Sequence, residues 1–314
     1  MLPDFFEFYN PTRVVFSPGI AEDFSAELES LNVKKLFVIS DKVISGLGLV
    51  KKVTDGLESA GIEVSGEFFE VAQDAELDAI NACTDQVKSS GAEGIVAIGG
   101  GSVIDTAKAV NILFSMGGNL IEDYSGAHTL TEPLNPLIAI PTTAGTGSEV
   151  TMIAVVYDKQ NKVKIPFTDK FLLPSLAVLD PEMTISLPPK MTAATAMDAL
   201  THAVEAYVGL QWSPFSDALA AGAVELIFNN IIEAVEDGSN VEARSAILIA
   251  SNMAGTAFTH SMVGCVHSMA HSVGGLFHVP HGIANAIFLP HGMEYNFREV
   301  KDKLAKLAFF MGED

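Results

Sequence analysis

Apolar and polar positions along the first half of the chain alternate between two periods. Lys35 to Ser40 (KLFVIS) is a short, nearly unbroken apolar run of the kind a buried strand needs. Residues 46–61 follow with helical spacing and stop at Gly61. Residues 62–70 read as a second strand. Residues 75–90 read as a helix with Leu77, Ile80, Cys83, Thr84 and Val87 on one face, closed by Gly91. GIVAI (94–98) and LIAI (137–140) are two further buried strands. Strands alternating with helices predict an α/β, Rossmann-like domain with a mostly parallel sheet covered on both faces. From about Thr192 the strand pattern fades. Ala-, Leu- and Met-rich stretches at 192–208, 216–235, 241–259 and 263–275 predict an all-α domain. Leu187-Pro188-Pro189 marks the boundary, because proline lacks the amide donor that a helix or central strand requires. The predicted division is 1–187 and 188–314, with no internal repeat.

Composition narrows the function. A length of 314 residues suits two domains at ~150 residues each. Forty-eight per cent apolar residues suit a filled core. A formal net charge of −21 disfavours nucleic acid and anionic lipid, both of which attract cationic surfaces. Cys83 and Cys265 alone make neither a disulfide framework nor a thiolate zinc site. The N-terminus shows no basic and apolar secretory pattern, and no uninterrupted apolar run is of membrane-span length. The expectation is a soluble cytoplasmic protein acting on a small molecule.

Two loops carry candidate chemistry. Gly99-Gly100-Gly101-Ser102 lies between the strand GIVAI and the helical run VIDTAKAVNIL. Glycines bring backbone amides close to a ligand, and a helix N-terminus adds unpaired N–H groups, so the loop suits a phosphate or pyrophosphate. A tight turn needs fewer glycines. The G-x-G-x-x-G pattern with a later acidic residue is not followed, since Asp41 ends an earlier strand. Asp41 could accept two ribose hydroxyls and repel a 2′-phosphate, favouring NAD over NADP, or could simply cap the next helix. The second loop, PTTAGTGSE (141–149), follows LIAI and offers hydroxyls and glycines for a cofactor.

The second half holds most of the eight histidines. Asp198 and His202 are four apart, as are His267 and His271, so each pair shares a helix face. His281 follows in VPHG. One carboxylate and two or three imidazoles form a ligand set for a divalent first-row metal. An isolated Asp-x-x-x-His pair is more often a helix-surface hydrogen bond; two pairs plus His281 are harder to explain that way. His128, His260, His278 and His291 stay unassigned.

GGGSVIDTAKA (99–109), PTTAGTGSEVT (141–151), AATAMDALTHAVEAY (193–207) and VHSMAHSVGGLFHVPHGIANAIFLPH (266–291) together resemble the iron-type (group III) alcohol dehydrogenases over essentially the whole chain. The resemblance implies a dehydroquinate synthase-like fold and a metal-dependent oxidoreductase that moves a hydride between NAD(H) and a short-chain primary alcohol, aldehyde or diol. It implies Asp198, His202, His267 and His281 as metal ligands, Fe2+ as the ion with Zn2+ possible, and His271 as a proton relay. It implies Gly99, Gly100, Gly101 and Ser102 at the pyrophosphate, Asp41 at the ribose, and Thr142, Thr143, Thr146, Lys164 and Leu179 along the cofactor. Ile153, Val155 and Phe258 would wall the substrate pocket, their apolar character favouring short aliphatic substrates. A homodimer with the strand near Thr12–Phe16 at its contact is also implied.

Two departures stand out. Family members run on for several helices past the point where this sequence ends at Asp314, which leaves open a truncated chain that binds cofactor without turnover. The Pro-containing turn of the family reads Glu70-Val71-Ala72-Gln73-Asp74 here, so its adenine contacts do not transfer. A hydroxyacid–oxoacid transhydrogenase would use the same residues. A dehydroquinate-synthase-like lyase would need a basic pocket, against which 18 Lys plus Arg and an apolar wall both speak.

Overall fold

A computed structural model describes residues 2–313; Met1 and Asp314, on which readings of the chain's two ends rest, lie outside the described residues. The chain forms two compact units. The first comprises residues 11–142 and 148–184. It begins with β1 (Arg13–Phe16), α1 (Ser25–Leu28), β2 (Lys35–Ile39), α2 (Lys42–Gly46), α3 (Leu49–Ser59) and β3 (Glu63–Phe68). Then come β4 (Ala75–Glu76), α4 (Leu77–Ser90), β5 (Gly94–Gly99), α5 (Gly101–Met116), α6 (Leu120–Tyr124), β6 (Gly126–Ala127) and β7 (Leu137–Pro141). It ends with β8 (Ile153–Asp158), β9 (Val163–Thr168) and β10 (Leu176–Leu179).

Six strands in the order β1-β10-β7-β5-β2-β3 make an all-parallel sheet. Strand period two sorts its side chains into two cores. Phe37, Ile39, Ile95, Ala97, Leu137 and Ala139 pack under α4 and α5. Leu36, Val38, Val96, Ile98, Ile138 and Ile140 pack on the other face with Val50, Val53 and Leu57 of α3. Burial on both faces explains why these strands are continuous apolar runs. Ile80, Cys83, Thr84 and Val87 of α4 are buried and Leu77 is partly so, the face that the spacing predicts. The chain leaves β2 in one direction along the sheet and resumes at β5 on the other side. Asp41 and Gly99–Ser102 therefore follow the two strands that flank a topological switch point, where open α/β sheets bind ligands.

Two expectations need correction. Residues 46–61 do not form one helix: Gly48 takes φ +79°, a left-handed conformation that ends α2 before α3 begins. The sheet is also not alone. A second one, in the order β4-β8-β9-β6, contains an antiparallel hairpin of β8 and β9. Asp158 closes its turn by accepting from the Gln160 and Asn161 amides.

The second unit comprises the segment up to Asn10, residues 143–147 and the chain from Ile185 onward. It contains α7 (Pro189–Val208), α8 (Pro214–Glu236), α9 (Val241–Ser261), α10 (Cys265–Phe277) and α11 (His281–Phe310), the last kinked at Val300. Pro189 opens α7 at a position where its missing amide costs nothing. Ser213 and Ser216 form a reciprocal cap on α8. By length and composition α8 could cross a membrane, with a mean hydropathy of 1.5, although Asp217 and Glu225 interrupt its apolar run. Here α8 packs along α7 and α9 through Ala220, Ala221 and Ala223. The N-terminal segment is pinned by Phe8, whose ring stacks on Phe215 and His260 at 5.1 and 4.3 Å. His260 donates from Nδ1 to the Thr256 carbonyl and accepts the Tyr9 amide at Nε2.

Candidate metal centre and cofactor loops

Helix α7 carries Asp198, His202 and Glu205 at i, i+4 and i+7, one continuous stripe. All three are buried. Helix α10 brings His267 and, one turn later, His271. His281 is the first residue of α11 rather than a residue beyond α10, and Asn285 lies one turn on. The donor atoms of Asp198, His267 and His281 all fall within 4.8 Å of one another. Nε2 of His267 is 3.6 Å and Nε2 of His281 3.4 Å from Asp198 Oδ1. His202 stands outside this triad. Its ring lies against His267 at 4.3 Å and against Phe258 at 4.2 Å. His271 is exposed, with its ring 6.1 Å from His267 and 5.0 Å from His281.

Burial opposes a charge on Asp198, His202 and His267, and the neighbours decide the outcome. Asp198 is driven well below the usual carboxylate range by His202, His281 and His267, against the effect of its burial. Burial also works against a charge on His267, but hydrogen bonds to Asp198 and Glu205 outweigh it and raise its pKa to about 9. His202, which burial dominates, is lowered to about 3.

Four observations fit a divalent cation. The donors are one carboxylate oxygen and imidazole nitrogens, the set such ions take. Ligands ~2.1 Å from a tetrahedral ion stand roughly 3.4 Å apart, close to the separations from Asp198. The amide nitrogen of Asn285 points at all three donors, 2.6 Å from Asp198 Oδ1 and 3.1 Å from each Nε2, as a cation would. His202 Nδ1 and Asn285 Oδ1 are buried with no hydrogen-bond partner, so the site holds polar valence that the protein itself leaves unused.

The cofactor residues are distributed as follows. Gly99 ends β5, Gly100 caps α5, and Gly101 and Ser102 form its first turn. A side chain at Gly99 would meet Val103 at 2.5 Å, so glycine lets the strand and helix approach. The Ser102 hydroxyl donates to the Gln73 carbonyl. Asp41 caps α2, with Oδ1 accepting from the Val43 and Ile44 amides at 2.8 and 2.9 Å. Thr142 donates its amide to the Gly99 carbonyl, and its hydroxyl oxygen is buried without a partner. Lys164 pairs with Asp74 at 2.8 Å, and Leu179 ends β10, buried. Thr143 and Thr146 belong to the stretch that joins the helical unit. There the two glycines have a packing role. A Cβ at Gly145 would touch Thr195 at 2.8 Å, and one at Gly147 would touch Gly255 at 2.7 Å. Ile153 and Val155 share one face of β8, alternating with the buried Ala154 and Val156.

The iron-containing alcohol dehydrogenase profile matches residues 11–181, and the profile of the C-terminal part of that family matches residues 192–314. The chain belongs to the iron-containing alcohol dehydrogenase family. It is 38% identical to the NAD-dependent methanol dehydrogenase of Bacillus methanolicus, over 98% of this chain and 80% of that one. It is 39% identical to the 1,3-propanediol dehydrogenase of Citrobacter freundii, over 98% and 80%. A solved 1,3-propanediol oxidoreductase superposes with a TM-score of 0.95 at 39% identity, over 99% of this chain and 81% of that structure. The parallel α/β unit and the helical unit are those of the family, and the chemistry is that of an oxidoreductase.

The structure adds residues to this family member's site that the spacing arguments passed over. Glu205 sits three positions after His202, and Asn285 four after His281. The same helical arithmetic that picked the histidines reaches both. In α5, Asp105 and Lys108 are the two charged residues. Lys108 is fully buried and donates to the carbonyls of Thr151 and Ile153 and to the Thr151 hydroxyl, all within 3.0 Å. Asp105 accepts from the Ser148 hydroxyl and the Val155 amide. Burial lowers Lys108 to about 8, against the pull of Asp105 and Glu149, and raises Asp105. The pair thus fixes the strand that carries Ile153 and Val155.

Proposed function

We propose that this chain is a metal-dependent, NAD-linked dehydrogenase of short-chain primary alcohols and diols, in which Asp198, His202, His267 and His281 hold Fe2+ or, alternatively, Zn2+. The observation that carries the reading is the triad of one carboxylate and two imidazoles on α7, α10 and α11, of which Asp198 and His267 are buried and His281 partly so. When bound, the cation supplies Lewis acidity toward an alcohol or carbonyl oxygen, and the nicotinamide supplies hydride chemistry.

The remaining roles fall to the protein's own groups. Gly99, Gly100, Gly101 and Ser102 offer backbone amides at the N-terminus of a 16-residue helix, suited to the pyrophosphate. Asp41 follows β2 at the switch point and suits the ribose hydroxyls; its charge disfavours a 2′-phosphate. Thr142, Thr143, Thr146, Lys164 and Leu179 complete the cofactor set. Ile153, Val155 and Phe258 give the substrate apolar surroundings, which suits short aliphatic chains. His271, exposed and beside His281, is placed to pass a proton to water. Charge supports a small-molecule substrate over nucleic acid or an anionic membrane, and a cytoplasmic setting fits the two unpaired cysteines. β1 is an edge strand with Val14 and Phe16 about 40% exposed, which suits a homodimer contact.

The test is metal analysis and NADH formation on one anaerobically purified sample offered short primary alcohols and diols. About one equivalent of metal per chain, with NADH formation abolished by a chelator, supports the proposal. Bound metal and cofactor with turnover only after a 2-oxoacid acceptor is added would replace it with transhydrogenation. NADH formation untouched by chelation would overturn the metal's role. For the coenzyme, Asp41→Ser keeps a capping oxygen and removes the charge. A ratio of NAD to NADP use unchanged in that variant would reject Asp41 as the discriminator.

A further inference from the structure

We propose that Glu205 is a positioning residue for the cation: its carboxylate holds the proton of His267 on Nδ1, so that Nε2 turns a lone pair toward Asp198 and His281. The inference rests on the ligand reading above.

Glu205 lies on α7, 5% exposed, and is gripped by α10. Its Oε1 accepts the Val266 amide at 2.7 Å, and its Oε2 lies 2.6 Å from His267 Nδ1 and 3.4 Å from the His267 amide. Residue 264 must be glycine for this approach, because a Cβ there would stand 2.7 Å from Oε1. Both carboxylate oxygens are thus committed to donors, and the amides come from the first turn of a helix, where backbone N–H groups lack partners of their own. A neutral imidazole has one N–H. With that hydrogen pointed at Glu205, the other nitrogen can only accept, and it faces Asp198 Oδ1 at 3.6 Å. Carboxylates behind ligating histidines fix the tautomer and the ring orientation, and raise the basicity of the ligand.

The isosteric amide separates this role from simple packing. Gln at position 205 has one oxygen for donors on two sides, the Val266 amide on one and the His267 amide and Nδ1–H on the other. Either its NH2 faces a donor or His267 turns its hydrogen to Nε2, toward the cation. Asp keeps both oxygens but is one methylene short.

Metal-stripped protein is titrated with Co2+, read by calorimetry and by the visible absorption of the bound ion. Glu205→Gln is expected to weaken Co2+ binding by about 10- to 100-fold, with Glu205→Asp in between. Wild-type affinity and an unchanged spectrum in Glu205→Gln, with binding lost in Asp198→Ala, would overturn the proposal. Wild-type affinity in both Asp198→Ala and His267→Ala would instead overturn the ligand reading. If Glu205→Gln does not fold, the histidine tautomers of 15N-labelled wild-type protein loaded with Zn2+ decide. Protonated Nδ1 on His267 supports the proposal, and protonated Nε2 refutes it.

Discussion

The ring of Phe258 lies flat on that of His202, with centroids 4.2 Å apart and planes 14° from parallel. His267 covers the other partner contact at 4.3 Å, and the buried Nδ1 of His202 meets no hydrogen-bond partner. The ring packs against both neighbours while its Nδ1 stays unsatisfied, at a cost of about 1–3 kcal/mol, with the Gly145 backbone and the Asp198 charge acting in its favour. His202→Phe should therefore still fold in the metal-free form, with a cooperative urea transition, while abolishing stoichiometric metal retention. A variant that keeps one metal per chain would remove His202 from the ligand set.

Gly282 follows His281 at the start of α11, and a Cβ there would sit 2.1 Å from the Ala194 carbonyl oxygen of α7. Backbone cannot yield as a flexible side chain does. Gly282→Ala should push the two helices apart, costing about 1–3 kcal/mol, and draw His281 away from Asp198. Unfolding and metal content measured on the same preparation check both parts. If neither changes, helix contact does not set the site's geometry.

Lys108→Met fills the same space but removes three hydrogen bonds to Thr151 and Ile153. A buried group left unsatisfied costs about 1–3 kcal/mol. The expected result is faster amide exchange through Thr151–Val156, seen by hydrogen–deuterium mass spectrometry. Wild-type protection in that stretch would show that the lysine does not anchor β8.

Two histidines give the metal-free protein opposite pH responses. His202 is lowered to about 3, so the folded state stays neutral where the unfolded chain takes up a proton. Its contribution grows as pH rises from about 3 toward the ordinary imidazole value near 6.5. His267 is raised to about 9, so its contribution is complete below about 6.5 and is lost as pH climbs through about 9. Thermal melts of stripped protein should be highest near pH 6.5. In His267→Gln the alkaline decline should flatten; an unchanged decline would assign it to other groups.

Much of this was legible because burial writes itself into period. The double-faced strands KLFVI, GIVAI and LIAI show as apolar runs, and α4 shows its buried face residue by residue. The hairpin of β8 and β9 is less legible, because IAVVYDKQNKVKIPFT is only half buried and its apolar positions form no continuous run. Helix α11 is hard to read from sequence because Gly282 and Pro290 resemble stops; the first is a close contact with α7, and the second lies within the helix. Asp198, His267 and His281 could be proposed from spacing. Glu205 and Asn285 could not be ranked, since an acid or amide on an apolar helix gains meaning only when its partner comes from a distant stretch of chain.

The helical unit is assembled from three separate stretches, ending at Asn10, spanning 143–147 and starting at Ile185. Phe8 and the pair Gly145 and Gly147 are as much part of its packing as α7 and α9. No single cut in the gene would release it whole. A fragment starting after Pro188 would lack the wedge that Phe8 drives beside Phe215 and the loop that Gly145 seats on Thr195. The helices therefore cannot be separated at Pro188 and kept whole, and an N-terminal half from a relative joined there would have to supply its own counterparts of Phe8, Gly145 and Gly147.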